Sequence, residues 1–253
     1  MYIDTHCHLF NEYYDDIEEI INKCKNNNIK RIIVSGVDMK SNMEVLELVC
    51  KYDIVYGSIG FHPTELKDFN YDDLKWLEEH INDEKIVAVG EIGLDYHYDD
   101  TDKELQIDVL RRQLNIAKKN NKPIIFHSRD AIGDTYNILK EYDLRGSIHC
   151  YSSSVEMARE FIKLGYMIGV GGVVTYKNSR ILKEVVKDTD LSYILLETDA
   201  PYLSPEPYRG KINDSSNIGE IARVIAELKN TSILEISRTT TMNAERLFDF
   251  SSK

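Results

Sequence analysis

Eight short apolar runs recur along the chain, at residues 2–5, 31–35, 54–59, 86–90, 123–126, 146–149, 166–169 and 193–197. Between them lie stretches with helical periodicity, at 15–28, 42–52, 71–82, 102–120, 131–142 and 155–164, with closing helices expected at 217–228 and 233–248. Strands that alternate with helices predict parallel βα units. The runs Ile86-Val87-Ala88-Val89 and Tyr193-Ile194-Leu195-Leu196 are apolar at every position, as suits strands covered on both faces. A doubly wound open sheet would give the same alternation. The length of 253 residues matches one (β/α)₈ TIM-like barrel, so a single α/β domain over 1–253 is expected. No linker, low-complexity segment or internal repeat interrupts it.

What favours closure is where the candidate metal ligands fall. His6, His8, Glu91, His127, His149 and Asp199 each stand at the end of an apolar run and before a turn. The C-terminal ends of barrel strands converge on one mouth, where active sites are built. Four imidazoles and two carboxylates can hold two divalent cations, an arrangement that runs hydrolytic chemistry. On an extended backbone, His6 and His8 share a face and Cys7 takes the other. Glu91, leaving a buried run, needs a cation or a cluster of donors. It is either a bridging ligand between two metals or one half of an internal salt bridge. Asp199 can ligate and also accept a proton from an attacking water, while Glu197 supports the ligands from behind.

Other residues near the mouth carry two readings each. Arg129 either grips a phosphate through its planar fork or pairs with Asp130 or Glu91. Arg209 and Lys211 form either a groove for a nucleic-acid backbone or an exposed basic loop. His62 follows a strand and could line the pocket. His80 belongs to a helix surface, and His97 lies in an acidic loop without an obvious partner.

Composition narrows the class. A formal charge of −12 argues against broad attraction to nucleic acid or anionic lipid, so a polyanionic substrate would need a local cationic site. With neutral histidines, two divalent ions against Glu91 and Asp199 leave the centre about two units positive, a focus of that kind. Cys7, Cys24, Cys50 and Cys150 show no paired spacing and read as free thiols of a reducing cytoplasm. No run approaches the roughly 20 apolar residues of a membrane span, and no leader peptide is evident.

The segments at 4–9, 60–63, 90–96, 127–131, 149–151, 195–203 and 209–211 together resemble the TatD family of metal-dependent deoxyribonucleases, among the amidohydrolase-like metal barrels. Gly90-Glu91-Ile92-Gly93-Leu94-Asp95-Tyr96 and Leu195-Glu197 through Leu203 are long matches in the family's order. The resemblance implies a TIM-like barrel, the same six ligands and hydrolysis of DNA phosphodiesters, in some members from the 3′ end of a single strand. It implies that Mg²⁺ supports activity, whereas a histidine-rich shell favours Zn²⁺ or Mn²⁺. RNA is a further possible substrate, and no membrane or obligate protein partner is implied. The chain departs from the pattern after Lys211, where Ile212-Asn213-Asp214-Ser215 replaces a basic residue and Asn-Glu-Pro, and at Tyr151 and Ser153, where Phe and Gly are common. Hydrolysis of an ester or amide, such as that joining a D-amino acid to tRNA, and metal binding without turnover are the competing expectations.

Overall fold

The computed structural model of the chain describes residues 1–98 and 102–250. Its eight strands are β1 (Tyr2–Cys7), β2 (Ile29–Ser35), β3 (Val55–Ile59), β4 (Ile86–Asp95), β5 (Ile124–Arg129), β6 (Gly146–Ile148), β7 (Tyr166–Val170) and β8 (Ile194–Leu196). They form one parallel sheet in sequence order, each strand pairing with the next. The helices between them are α1 (Ile17–Asn26), α2 (Met39–Lys51), α3 (Asp73–His80), α4 (Lys103–Lys119), α5 (Ile132–Leu139), α6 (Val155–Lys163) and α7 (Arg180–Asp188), followed by α8 (Ile218–Lys229) and α9 (Ile233–Leu247). The fold is a (β/α)₈ barrel, and its eight strands fall on the eight apolar runs. No described helix is long and apolar enough to cross a membrane.

Side-chain orders explain several boundaries. The Asp38 carboxylate accepts from the Ser41 N–H while the Ser41 hydroxyl accepts from the Asp38 N–H, so α2 begins at Met39 rather than at 42. Asp16, Asp102, Ser154 and Ser232 cap α1, α4, α6 and α9 in the same manner. β4 continues to Asp95 instead of stopping at 90, because its pairing with β5 resumes after a register shift, from Ile92 opposite Phe126 to Asp95 opposite Arg129.

Alternation along the strands divides the interior. Ile32, Val34, Ile124, Phe126, Ile168 and Ile194 face outward into the layer shared with the helices. Ile33, Tyr56, Ile125, Met167 and Leu195 face the barrel axis, where Phe248 and Phe250 plug the floor. Two residues further along the same strands stand Ser35, Ser58, His127, Gly169 and Glu197. A repeat of two keeps them on the axis face, so the interior changes from apolar floor to polar mouth within one step of each strand.

The seam between β8 and β1 is made differently. No regular ladder joins them among the described residues. Instead the Thr5 hydroxyl donates to the Leu196 carbonyl at 3.0 Å. The N–H and hydroxyl of Thr198 donate to the Asp4 carboxylate at 2.9 and 2.6 Å, and the His6 N–H reaches it at 3.3 Å. Burial pushes the Asp4 carboxyl up to about 7, while these hydrogen bonds pull the other way. Asp4→Ala leaves buried donors unmet at about 1–3 kcal/mol each. The urea unfolding midpoint should fall accordingly, with Asp4→Asn intermediate.

Candidate metal centre

Strands β1, β4 and β5 and the loops after β1, β3, β6 and β8 bring the six candidate ligands, with His62, to one place in the mouth. Glu91 is its middle. On one side of its carboxylate, Oε2 lies 3.3 Å from His6 Nε2 and 3.5 Å from His8 Nε2. Asp199 Oδ1 completes this half at 3.5 and 3.6 Å from the same two nitrogens. On the other side, Oε1 lies 3.0 Å from His127 Nδ1, 3.3 Å from His149 Nε2 and 3.4 Å from His62 Nε2. Glu91 itself is 2% exposed.

The far nitrogen of each ring indicates where its proton sits. His8 Nδ1 lies 3.0 Å from the Ser35 carbonyl, which can only accept. The proton is therefore on Nδ1, and a lone pair on Nε2 faces the centre. His127 lies between two carboxylates, its Nε2 3.0 Å from Asp95 and its Nδ1 3.0 Å from Glu91; with the proton on Nε2, Nδ1 would offer a lone pair to a cation. His149 Nδ1 stands 3.3 Å from Glu197 Oε1, a separation without hydrogen-bond alignment. His6 Nδ1 lies 3.0 Å from the Ser35 hydroxyl, which the Ser58 hydroxyl in turn contacts at 2.8 Å. Such partners behind the rings fix orientation in metal sites.

His62 Nδ1 lies 3.2 Å from the Thr64 N–H and 2.8 Å from the Thr64 hydroxyl, and its Nε2 lies 3.4 Å from Glu91 Oε1. With Glu91 and His127 it forms a further group of possible ligands. His6 Nε2 and His8 Nε2 stand 3.2 Å apart. His8 Nε2 is an acceptor, and with two carboxylates alongside, such a cluster fits a cation. The residues present thus suit divalent metal: His6, His8 and Glu91 lie close enough to share an ion, as do His6, His149 and Asp199, and His62, Glu91 and His127.

Charge follows the same geometry. Burial would raise the Glu91 carboxyl, but the imidazoles of His149, His62 and His6 outweigh it and hold the acid well below its ordinary range. Asp199 is lowered too, because the attraction of the neighbouring His8, His149 and His6 rings in their protonated forms exceeds the cost of burial. Burial works against protonation of His8, His127 and His149, yet the surrounding acidic groups raise all three, His149 well above its ordinary value. His6 is lowered, chiefly by burial. Protons therefore compete with metal at three of the four candidate rings from above the usual imidazole pKa of about 6.5. Metal affinity should weaken as pH falls from 8 to 6, with protons released on binding, as calorimetry in buffers of different ionisation enthalpy would measure.

Local sequence makes these positions reachable. A Cβ at Gly93 would stand 1.9 Å from the His127 carbonyl oxygen, so only glycine lets β4 and β5 approach closely enough to set His127 beside Glu91. A Cβ at Gly169 would stand 2.4 Å from Glu197 Oε2. Asp130, Cys150 and Asp199 all take left-handed φ, of 53°, 42° and 55°. Such conformations in non-glycine residues cost on the order of 1 kcal/mol each and collect at functional sites.

The remaining candidates are placed as follows. Arg129 pairs with neither Asp130 nor Glu91; its guanidinium lies 5.7 Å from the Tyr98 ring centroid, and it lines both cavities that open onto the centre. Asp130 instead pairs with His97 at 2.8 Å, which corrects the expectation that His97 has no partner. His80 stacks on Trp76 at 4.3 Å. Arg209 lies 4.4 Å over the Tyr176 ring; neither it nor Lys211 is among the residues lining those two cavities. The departure after Lys211 has a structural role, since Asn213 donates to the Thr198 and Tyr202 carbonyls at 3.1 and 2.8 Å and holds the β8 loop. Sequence reading missed Ser35 and Asp95. Both were findable: Ser35 ends an apolar run, and Asp95 stands four residues beyond Glu91, on the same strand face.

Comparison with known proteins agrees with this geometry. A family model described as TatD related DNase matches residues 3–249. The metal-dependent hydrolase YabD of Bacillus subtilis (strain 168) is 44% identical over 252 residues, covering 98% of this chain and 99% of the relative. The metal-dependent hydrolase YcfH of Escherichia coli (strain K12) is 34% identical, covering 97% and 95%. The crystal structure of YjjV, a TatD homologue from Escherichia coli K12, superposes with a TM-score of 0.94 at 33% identity, covering 98% of each chain. A closed barrel whose mouth gathers these ligands, together with matches that span nearly the whole chain, places this protein in the TatD family of metal-dependent hydrolases.

Proposed function

We propose that the protein hydrolyses phosphodiester bonds of single-stranded DNA, removing nucleotides from the 3′ end with two divalent cations. The observation that carries this reading is Glu91, whose two oxygens face separate clusters of ligands. Bound there, divalent ions would neutralise phosphate charge and make water acidic enough to supply a nucleophile near neutral pH. Mg²⁺ is suggested by the resemblance, and Zn²⁺ or Mn²⁺ by the imidazoles.

The chain's own groups divide the remaining work. Asp199, ionised and 9% exposed, accepts the proton of the attacking water. Arg129, with no carboxylate within ion-pair distance among the described residues, offers its fork to the nonbridging phosphate oxygens. His62 lines the centre with its Nε2 3.4 Å from Glu91 Oε1 and helps to orient the substrate there. One P–O bond forms to water, one breaks to the 3′-oxygen, and the water's proton passes by way of Asp199 to that oxygen as it leaves phosphorus.

End-labelled single strands incubated with Mg²⁺, Mn²⁺, Co²⁺ or Zn²⁺, and with chelator, test the reading. Loss of 3′ label before 5′ label is the expected result. A second reading, hydrolysis of an ester such as that of a D-aminoacyl-tRNA, draws on the carboxylates around one cavity, which suit an ammonium group. D-aminoacyl-tRNA cleaved while no oligonucleotide is cut would favour it.

A further inference from the structure

Two cavities meet at the centre and share His127, Arg129, His149, Asp199 and Tyr202 as a common wall. Their far walls differ in chemistry. The larger, of about 870 Å³, runs towards α7 and is lined by Tyr151, Val173, Leu182 and Leu203, with Arg180 and Glu184 offsetting each other. Tyr176, beyond α7's start, carries Arg209 over its ring. Lys177 and Arg209 add two cations with no carboxylate within ion-pair distance among the described residues, so this flank is positive even with Arg180 and Glu184 in balance.

The smaller cavity, of about 660 Å³, runs towards α2. Glu12, Asp38, Glu44 and Glu65 line it; its cations are Arg129, on the wall shared with the larger cavity, and Lys40, whose ammonium is already 3.1 Å from Glu12. Phe10, Tyr13 and Tyr98 supply its aromatic surface. A nucleoside can stack there, since base–aromatic contact is indifferent to charge. Beyond the shared wall that carries Arg129, a further phosphate would meet several carboxylates and only the already paired Lys40.

We infer that a single strand enters over the α7 flank and ends in the α2 cavity, which seats one terminal nucleoside and rejects a terminal phosphate. This rests on the nuclease reading. It goes further, because it assigns opposite ends of the substrate to opposite cavities and makes the terminal group a determinant of specificity. The strand ends there because continuation would carry polyanion past Glu12, Glu44 and Glu65.

The test compares oligodeoxynucleotides of one sequence ending in hydroxyl or in phosphate at the attacked terminus, together with a circular single strand, using the metal-loaded enzyme. Hydroxyl-ended strands should be cut at least tenfold faster than phosphate-ended ones, and the circle should resist. The ratio should shrink at high salt, as screening shortens to a few ångströms. It should also shrink in the combined Glu12→Gln, Glu44→Gln, Glu65→Gln variant. Arg180→Ala with Arg209→Ala should raise KM for long strands more than for dinucleotides and flatten its salt dependence. Equal rates on hydroxyl and phosphate ends overturn the assignment while leaving the nuclease reading intact; cleavage of the circle at the linear rate overturns the assignment and, with it, removal from the 3′ end. Cleavage of no oligonucleotide with any metal removes the nuclease reading and this inference together.

Discussion

Glu91→Gln should lose hydrolytic turnover by on the order of 10³-fold, a barrier increase of about 4 kcal/mol. The amide keeps the shape of the side chain but gives up the one negative charge that faces both halves of the centre, at 3.3 Å from His6 and 3.0 Å from His127. It also points an N–H₂ group at one cluster of ring nitrogens whose lone pairs face inward. Metal content should therefore fall at both positions rather than at one. The wild-type protein should gain about 2.7 kcal/mol of stability at metal concentrations a hundredfold above Kd, seen as a rise in melting temperature. In the variant that rise should disappear, while the metal-free melting temperature holds or increases because a buried charge has been removed. A variant that keeps full metal content and turnover would end the case for a shared carboxylate.

Asp199→Asn is the second large effect, and it separates chemistry from assembly. Asp199 hangs from a backbone fixed by its own N–H to the His6 carbonyl at 3.0 Å, and the amide does not disturb that bond. The fold should survive, with far-ultraviolet circular dichroism unchanged. Turnover should fall by on the order of 10²–10⁴-fold, the usual contribution of a positioned base. The acidic limb of the pH–rate profile, set by the Asp199 carboxyl below its ordinary range, should vanish with it. Retained turnover with an unaltered acidic limb would take Asp199 out of the proton-accepting role and leave it as a ligand only.

Much of this was legible in the chain because each strand's contribution is local. A run such as Ile124-Ile125-Phe126 followed by His127 states both a buried strand and the residue at its exit. The repeat of two then places Ser35, His127 and Glu197 on the axis without knowledge of partners. What was not legible depends on contacts between distant segments. The orientation of the His62 ring is set by Thr64 turning back on it with both N–H and hydroxyl, and nothing in Gly60-Phe61-His62-Pro63 announces that. The extension of β4 to Asp95 depends on β5 alongside it. Arg129 resolved against Asp130 because His97 arrives from β4's far end to take that carboxylate. The helix α7, amphipathic but short, lay between two runs where the sequence reading had named no element, and it now forms the wall of the larger cavity.

The β8–β1 seam gives the ions a second consequence. His6 and His8 come from one margin of that join and Asp199 from the other, and the two margins touch through the Asp199 N–H to the His6 carbonyl and the His8 N–H to the Ala200 carbonyl. A cation gripped from both sides would act as a rivet where these two bonds stand in for a regular ladder. Stripping it with chelator should be felt first as faster amide hydrogen exchange at His8 and Asp199, ahead of any loosening between β2 and β3.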